Sequence, residues 1–315
     1  MIIKTGVFCL DRVRKQIHYE YIEKLGLTGK GVNVCVLDTG ISSHIDFDHR
    51  IIEFVDLTKN PTYKIRDDSG HGTHVCGILA GSGKASGGLY KGIAIRSNLI
   101  VLKVLNHQGN GQVDTLLSAL QWVLEHCSEY SIRIVNISIS VSKNCSLHTD
   151  RIKLFHLKDL LYRLHEKNIL IVTAAGNEGP DNNSISILGN QNYTLCVGCH
   201  DGDYKSKSDT LCEQYSGRGY AYYSMMKPDV VAPGTEIVSC SGKNRRGYTS
   251  KSGTSMSCPI ISGVAADLME LLGNIPVDTI ANKIRMGTTS VNTPRNQQGY
   301  GMIDCKKIFE KYTLT

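Results

Sequence analysis

Short apolar runs alternate along this chain with longer stretches in which apolar residues return every three or four positions. The run Val32-Asn33-Val34-Cys35-Val36-Leu37 is almost uniformly apolar, the pattern of a strand buried on both faces. Comparable runs lie at Leu99–Val104, Arg133–Ile139 and Ile169–Val172. Between and after them the periodicity predicts helices over about Val113–His126 and Asp150–Lys167, and a long one from Ser255 to about Leu272. In the last, Ile260, Val264, Leu268 and Leu271 recur at helical spacing, while Gly263, Ala265 and Ala266 permit close approach of neighbouring elements. An amphipathic pattern near Asp11–Leu25 predicts a helix ahead of the first strand. Strands alternating with helices predict an α/β protein in three layers, a mostly parallel central sheet with helices on both faces. No repeat or linker divides the chain, so residues 1–315 are expected to form a single domain, with 1–31 packed on it as an N-terminal segment.

Several predicted elements begin or end in small-residue turns that present one polar side chain. Asp38 closes the first strand and is followed by Thr39-Gly40; carboxyl ends of buried strands are where open α/β sheets place their sites. His71 stands in Ser69-Gly70-His71-Gly72-Thr73-His74, at the start of an apolar helix. The strand at Ile169–Val172 runs into Thr173-Ala174-Ala175-Gly176-Asn177. Ser255 lies in Ser252-Gly253-Thr254-Ser255-Met256, where the positive end of a helix dipole favours developing negative charge. Pro259 is expected in the first turn of that helix, where a missing N–H is harmless. Taken alone, the Ser255 turn would read first as a helix N-cap and the Asp38 turn as an Asx turn. His71 and His74 have no third ligand nearby and no HExxH pattern, which argues against zinc, and His74 is expected to be a hydrogen-bonded core histidine.

Composition and charge narrow the partners. The 35 Lys and Arg residues against 29 Asp and Glu leave a formal charge of +6, scattered along the chain, and the densest basic cluster, Lys243-Asn244-Arg245-Arg246, is short. Neither a nucleic acid nor a membrane is expected as a partner. No stretch approaches the roughly 18 apolar residues of a membrane span, and Asp11 and Arg12 interrupt any leader-like run. Eleven cysteines, an odd number without framework spacing and often inside apolar strands, predict buried reduced thiols and a cytoplasmic location. Cys196 and Cys199 would face opposite sides of one strand, so the two are not expected to act as a pair.

Taken in order, Asp38-Thr39-Gly40, His71-Gly72-Thr73-His74, Ala175-Gly176-Asn177-Glu178-Gly179 and Gly253-Thr254-Ser255-Met256 closely resemble the motifs of the subtilisin-like serine proteases, the subtilases. Lys91-Gly92-Ile93-Ala94, Lys103-Val104-Leu105, Tyr215-Ser216-Gly217-Arg218-Gly219 and the run from Lys227-Pro228 to Pro233-Gly234 extend the likeness over nearly the whole chain. The resemblance implies the subtilisin-like fold and a serine endopeptidase that hydrolyses protein or peptide substrates through an acyl-enzyme. It implies Ser255 as nucleophile, His71 as base and Asp38 as the carboxylate that orients the imidazole, with the Asn177 side chain and the Ser255 backbone N–H as oxyanion donors. It also implies that Gly109, Asn110 and Gly111 on one side and Ser138, Ile139 and Ser140 on the other flank an extended peptide. Ala174, Ala175 and Gly176 would wall the pocket for the residue preceding the cleaved bond. The alternative is a catalytically silent, peptide-binding subtilase fold, against which the intact Asp38, His71, Ser255 and Asn177 stand.

Several positions depart from the family pattern. Glycine is usual where Ser140 stands, so a narrower pocket is expected; histidine is usual where Ile260 stands. Residues 1–31 are not expected to include the family's usual propeptide or a signal sequence, so the expectation is either folding without that segment or a mature form, with the Met1 start favouring a complete intracellular product. The implied chemistry requires no cofactor. Asp46 matches one ligand of a structural calcium site common in the family, but the loop Gly83–Lys91 adds no acidic or amide set, so a structural calcium stays open with weak support and no metal ligand is assigned.

Overall fold

The computed structural model describes residues 10–59, 61–141, 150–220 and 226–313. The strands are β1 (Asn33–Asp38), β2 (Ile51–Asp56), β3 (Asn98–Lys103), β4 (Ile132–Ile137), β5 (Leu170–Ala174) and β6 (Thr194–Cys199), of which β1, β3, β4 and β5 are the four apolar runs and β2 has no counterpart among them. Shorter strands follow: β7 (Gly219–Tyr220), β8 (Met226–Lys227), β9 (Val230–Ala232), β10 (Ile237–Cys240), β11 (Tyr248–Lys251), β12 (Thr288–Thr289) and β13 (Met302–Ile303). The helices are α1 (Leu10–Gln16), α2 (Glu20–Lys24), α3 (His71–Ala80), α4 (Val113–His126), α5 (Arg151–Glu166), α6 (Thr254–Leu272), α7 (Val277–Met286), α8 (Arg295–Gln298) and α9 (Cys305–Thr313).

Nine of these strands form one sheet in the order β12-β13-β9-β6-β5-β4-β1-β3-β2, parallel except where β12 meets β13. Side-chain alternation divides the core in two. Val34, Val36, Val101, Val172 and Val197 face a cluster shared with α3, α6, α7 and α9, while Cys35, Leu37, Ile100, Val135 and Ile171 face α4 and α5. The three-layer α/β architecture expected from the sequence is therefore present, with both sheet faces covered. From β1 the chain goes to the edge strand β2 and returns to place β3 between them, then crosses to β4 on the other side of β1 and moves outward through β5 and β6. The carboxyl ends of β1 and β4 thus flank the point where the winding reverses, the usual crevice of such sheets.

α6 is the central helix. Ile260, Val264 and Leu268 are fully buried, each contributing about 1.5–3 kcal/mol by removal from water. Gly263 is required at its site, because a Cβ would come within 2.5 Å of the Ile93 side chain. Among the described residues α6 is the one helix long and apolar enough to cross a membrane, and most of it is buried in the core.

Three expectations need correction. The N-terminal pattern gives two helices, not one, because His18 turns to φ 54° between them. That break frees the Ile17 carbonyl to accept from Cys305 N–H (2.8 Å) and sets His18 Nδ1 against Asp304 (2.9 Å), docking the segment on the start of α9. Pro259 is the sixth residue of α6, not part of its first turn, so it does remove a donor from the helix ladder. Finally, Cys199 and Cys212 form a disulfide across 13 residues, against the expectation of free thiols throughout. Cys199 ends β6, and the 3₁₀ turn Cys212–Gln214 folds back to put the two Cα atoms 5.9 Å apart, a proximity that linear spacing cannot reveal. Cys35, Cys76, Cys127, Cys196, Cys240, Cys258 and Cys305 are free and buried; Cys9 and Cys145 lie outside the described residues.

Candidate active site

Adjacent strands bring the polar turns together. Leu37 of β1 pairs with Ile137 of β4, and Ile137 with Thr173 of β5. Asp38, Ser138 and Asn177 therefore leave the carboxyl edge of three neighbouring strands. The amino ends of α3 and α6 deliver His71 and Ser255 to that edge.

Asp38 is fully buried, and its Oδ1 accepts from His71 Nδ1–H at 2.7 Å and from Thr39 N–H at 2.7 Å. Gly72 permits this approach: a Cβ there would lie 2.1 Å from the Gly40 carbonyl oxygen and 3.1 Å from Asp38 Oδ1. Burial disfavours the His71 imidazolium, but the Asp38 charge and hydrogen bond outweigh it, so the imidazole pKa is raised above its ordinary value. His71 keeps a quarter of its side chain exposed, and with Nδ1–H committed to Asp38, Nε2 is the nitrogen able to accept a proton.

His71 has a support that sequence reading missed. The α3 N-cap position, Gly70, has φ 79° and no side chain, and Asp67 serves as the cap instead. Asp67 Oδ1 accepts from Gly70 N–H (2.8 Å) and Thr39 Oγ1–H (2.8 Å), and Oδ2 from Thr73 N–H (2.8 Å) and Thr73 Oγ1–H (2.5 Å). Thr39 Oγ1 in turn accepts from Gly72 N–H at 2.9 Å. One carboxylate thus ties the turn after β1 to the first turn of α3. The only sequence signal was an acidic residue shortly before a glycine-flanked helix start.

Ser255 is the second residue of α6, and its hydroxyl donates to the Ser138 carbonyl at 2.7 Å. Its own N–H lies in the first turn, where helix donors have no intrahelical acceptor. Asn177 stands beside it. Asn177 Oδ1 accepts from Thr254 N–H (3.1 Å) and Thr254 Oγ1–H (3.0 Å), which turns the NH₂ end away from Thr254. Gly253, at φ 137°, lets this amide approach, since a Cβ would sit 3.3 Å from Asn177 Nδ2. Thr254 was not singled out from the sequence, where it reads as one more small turn residue.

The flanking segments lie on the same edge. Ser138 is buried, Ile139 is nearly so, and Ser140 is exposed. A Cβ placed on Gly176 would lie 3.7 Å from Ser140 Cβ, so these two positions face each other beyond the buried Ala174 and Ala175. Gly109, Asn110 and Gly111 form an exposed loop after β3, held by Asn106, whose Oδ1 accepts from Gln108 and Asn110 N–H. Among the described residues no hydrogen bond joins that loop to Asp38, His71 or Ser255.

His74 plays a different part from His71. It is fully buried, its Nε2 contacts the Ile237 and Thr249 carbonyls at 3.0 and 3.1 Å, and burial lowers its pKa to about 3. It is a neutral clasp on the β10–β11 hairpin. Asp46, the family calcium position, is also buried. Its Oδ1 accepts from Ala85 N–H (2.9 Å) and its Oδ2 from the Tyr248 hydroxyl (2.7 Å), and Arg50 donates to its main-chain carbonyl. Each carboxylate oxygen already accepts one protein hydrogen bond, and the metal-capable groups beside Asp46 among the described residues are His44 and Cys240, whose nitrogen and sulfur do not suit calcium.

Such an arrangement on this sheet defines a subtilisin-type α/β protein, and residues 29–301 match the subtilase family model, peptidase S8. The chain belongs to the subtilase family. It is 35% identical over 299 residues to serine protease AprX of Bacillus subtilis, covering 89% of this chain and 66% of the relative. It is 30% identical over 250 residues to an intracellular serine protease of Paenibacillus polymyxa, covering 77% and 68%. A subtilase-type proteinase of Saccharomyces cerevisiae, RRT12, is 32% identical over 280 residues, of which the match spans 51% of the relative's length. The chain thus spans about half to two thirds of the length of these relatives. Among solved structures, sphericase superposes with a TM-score of 0.76 at 24% identity, over 88% of this chain and 92% of that one.

Proposed function

We propose that this chain is a serine endopeptidase that cleaves peptide bonds through Ser255, His71 and Asp38, with Asn177 and the Ser255 N–H stabilising the oxyanion. The observation that carries the reading is the hydrogen bond from His71 Nδ1–H to the buried Asp38. It leaves Nε2 as the basic nitrogen on a ring that is still accessible. For attack, the Ser255 hydroxyl leaves the Ser138 carbonyl and gives its proton to His71 as Oγ bonds to the substrate carbonyl carbon. Asp38 stabilises the imidazolium without taking the proton. The Asn177 NH₂, already oriented through Thr254, meets the oxygen as charge develops, so little reorganisation is needed in the transition state. The imidazolium then protonates the leaving amine, and water repeats the sequence on the acyl-enzyme.

The substrates are proteins or peptides, held as an extended strand between Gly109–Gly111 and Ser138–Ser140. Ala174, Ala175, Gly176 and Ser140 line the pocket for the residue before the cleaved bond. No cofactor takes part, and the occupied Asp46 supports a fold that does not depend on calcium at that position. One peptidase domain and a cytoplasmic location remain part of the reading. The named location of the Paenibacillus relative supports the latter, and the Cys199–Cys212 bond weighs against it. Labelling with a fluorophosphonate followed by peptide mapping tests the proposal. The adduct is expected on Ser255 and absent from Ser255→Ala. A folded protein that binds peptides yet neither labels nor cleaves would be the silent subtilase fold instead.

A further inference from the structure

The turn that carries Ser255 is held on two sides. Asn177 holds Thr254 on one. On the other, the strip from Ala232 to Glu236 runs alongside it. Gly253 N–H donates to the Gly234 carbonyl (2.9 Å), Glu236 N–H to Ser252 Oγ (2.9 Å), and Ser257 Oγ–H to the Ala232 carbonyl (2.9 Å). The fit is close: a Cβ on Gly234 would lie 2.5 Å from Ser257 Oγ and 2.8 Å from the Gly253 carbonyl oxygen. Any shift of this strip moves Gly253, and with it the first turn of α6.

A single buried carboxylate fixes the strip. Asp201, fully buried, accepts from Gly234 N–H (3.1 Å) and Thr235 N–H (3.0 Å) through Oδ1, and from the Thr235 hydroxyl through Oδ2. Thr235 Oγ1 accepts in turn from Cys212 N–H at 2.7 Å. The counter-charge comes from the N-terminal helix. Arg12 of α1, nearly buried, donates from Nη2 to the Thr235 carbonyl at 2.6 Å, and its Nη1 lies 3.6 Å from Asp201 Oδ1. Its guanidinium rests 3.6 Å above the Tyr204 ring, and Gln16 of the same helix donates to the Asp201 carbonyl at 2.7 Å. These contacts run from α1, through Asp201 and Thr235, to the strip beside the nucleophile turn.

We infer that Asp201 and Arg12 are positioning residues for Ser255, so that docking of the N-terminal helix sets the rate of acylation. The inference rests on the assignment of Ser255 as nucleophile. A carboxylate holding two backbone N–H groups and a hydroxyl, and paired with a nearly buried guanidinium, is a stiff joint. Loosening it displaces the attacking oxygen relative to His71 and the oxyanion donors, and about 1 Å of displacement costs on the order of a hundredfold in rate. Substrate contacts made by Gly109–Gly111 and Ser138–Ser140 are untouched, so KM should stay near the wild-type value.

The test measures kcat and KM per titrated active site and the second-order rate of fluorophosphonate labelling, with urea unfolding as the control for fold. Asp201→Ala is expected to lower kcat and labelling together, tenfold or more, with KM within about twofold. Arg12→Ala, which leaves the Asp201 hydrogen bonds in place, should give a smaller loss of the same kind, and Arg12→Lys should recover only part of it because one ammonium cannot replace the planar fork. Unchanged kcat and labelling in folded Arg12→Ala would overturn the inference, even if Asp201→Ala does not fold. So would a loss that appears only in KM or only in unfolding midpoint. If wild-type adduct maps away from Ser255, the assignment of the nucleophile has failed, which is a different result from an unaltered Arg12→Ala rate.

Discussion

Replacing Asp67 by alanine should damage stability and catalysis together. Asp67 receives hydrogen bonds from Gly70 N–H, Thr73 N–H, and the Thr39 and Thr73 hydroxyls, all within 2.8 Å. The hydroxyls can turn elsewhere, but the N–H groups of the buried Gly70 and Thr73 cannot. A buried donor left without a partner costs about 1–3 kcal/mol, so two give a destabilisation of roughly 2–6 kcal/mol. The upper part of that range also contains the loss of the cap on α3. A domain with an ordinary stability of about 5–15 kcal/mol would survive most of this. Chemistry should suffer as well. Thr39 Oγ1 would lose the partner that orients it toward Gly72 N–H, and the first turn of α3 could then slide away from Asp38. A lengthened His71–Asp38 contact weakens both the orientation and the basicity of the imidazole. The stability arm is read by urea unfolding in a Ser255→Ala background, which prevents self-digestion; the catalytic arm is read as kcat at saturating peptide. A loss under about 0.5 kcal/mol with unaltered kcat would mean that Asp67 is merely one of several interchangeable surface caps, and the reasoning would be wrong.

Asn177→Ala should lower kcat by on the order of 10²–10³ with little change in KM, a magnitude taken from subtilisin, itself a member of this family; a raised KM at constant kcat would place Asn177 in ground-state binding. Because Asp38 raises the His71 pKa despite burial, the acid limb of kcat/KM should fall above the ordinary imidazole value of about 6.5, and Asp38→Asn should remove that displacement. The fully buried Asp267 of α6 has its pKa raised well above the carboxylate range, first by burial and then by Glu270. The folded state therefore holds this proton longer than the unfolded one, and stability should fall as pH rises from the unfolded pKa through the folded one. Asp267→Asn should flatten that slope, and parallel curves for the two proteins would exclude the buried carboxyl as its source. Ser140→Gly should shift kcat/KM toward Phe over Leu at the substrate position before the cleaved bond, by about 1–3 kcal/mol at most; an unchanged ratio would mean the serine side chain does not shape the pocket.

The sequence by itself determined the layer order and the polar turns. Uniformly apolar runs alternating with helical periodicity admit few arrangements other than a parallel sheet with both faces covered, and β1, β3, β4 and β5 fall within two residues of the predicted runs. Ordered motifs around Asp38, His71, Asn177 and Ser255 were legible because small residues are required at close approaches, to the Gly40 backbone at Gly72 and to the Asn177 side chain at Gly253. What only tertiary structure decided were the contacts between segments far apart in the chain. Asp67 shows its role only once Gly70 at positive φ leaves α3 without a cap of its own. Thr254 reads as a turn residue until β5 brings Asn177 against it. Cys199 and Cys212 read as two more isolated thiols until a 3₁₀ turn returns beside the end of β6. Arg12 and Asp201 stand 189 positions apart and carry no shared pattern. Periodicity reports which face of an element is apolar, whereas partnership across the fold depends on how the elements are packed, and that is a property of the assembled chain.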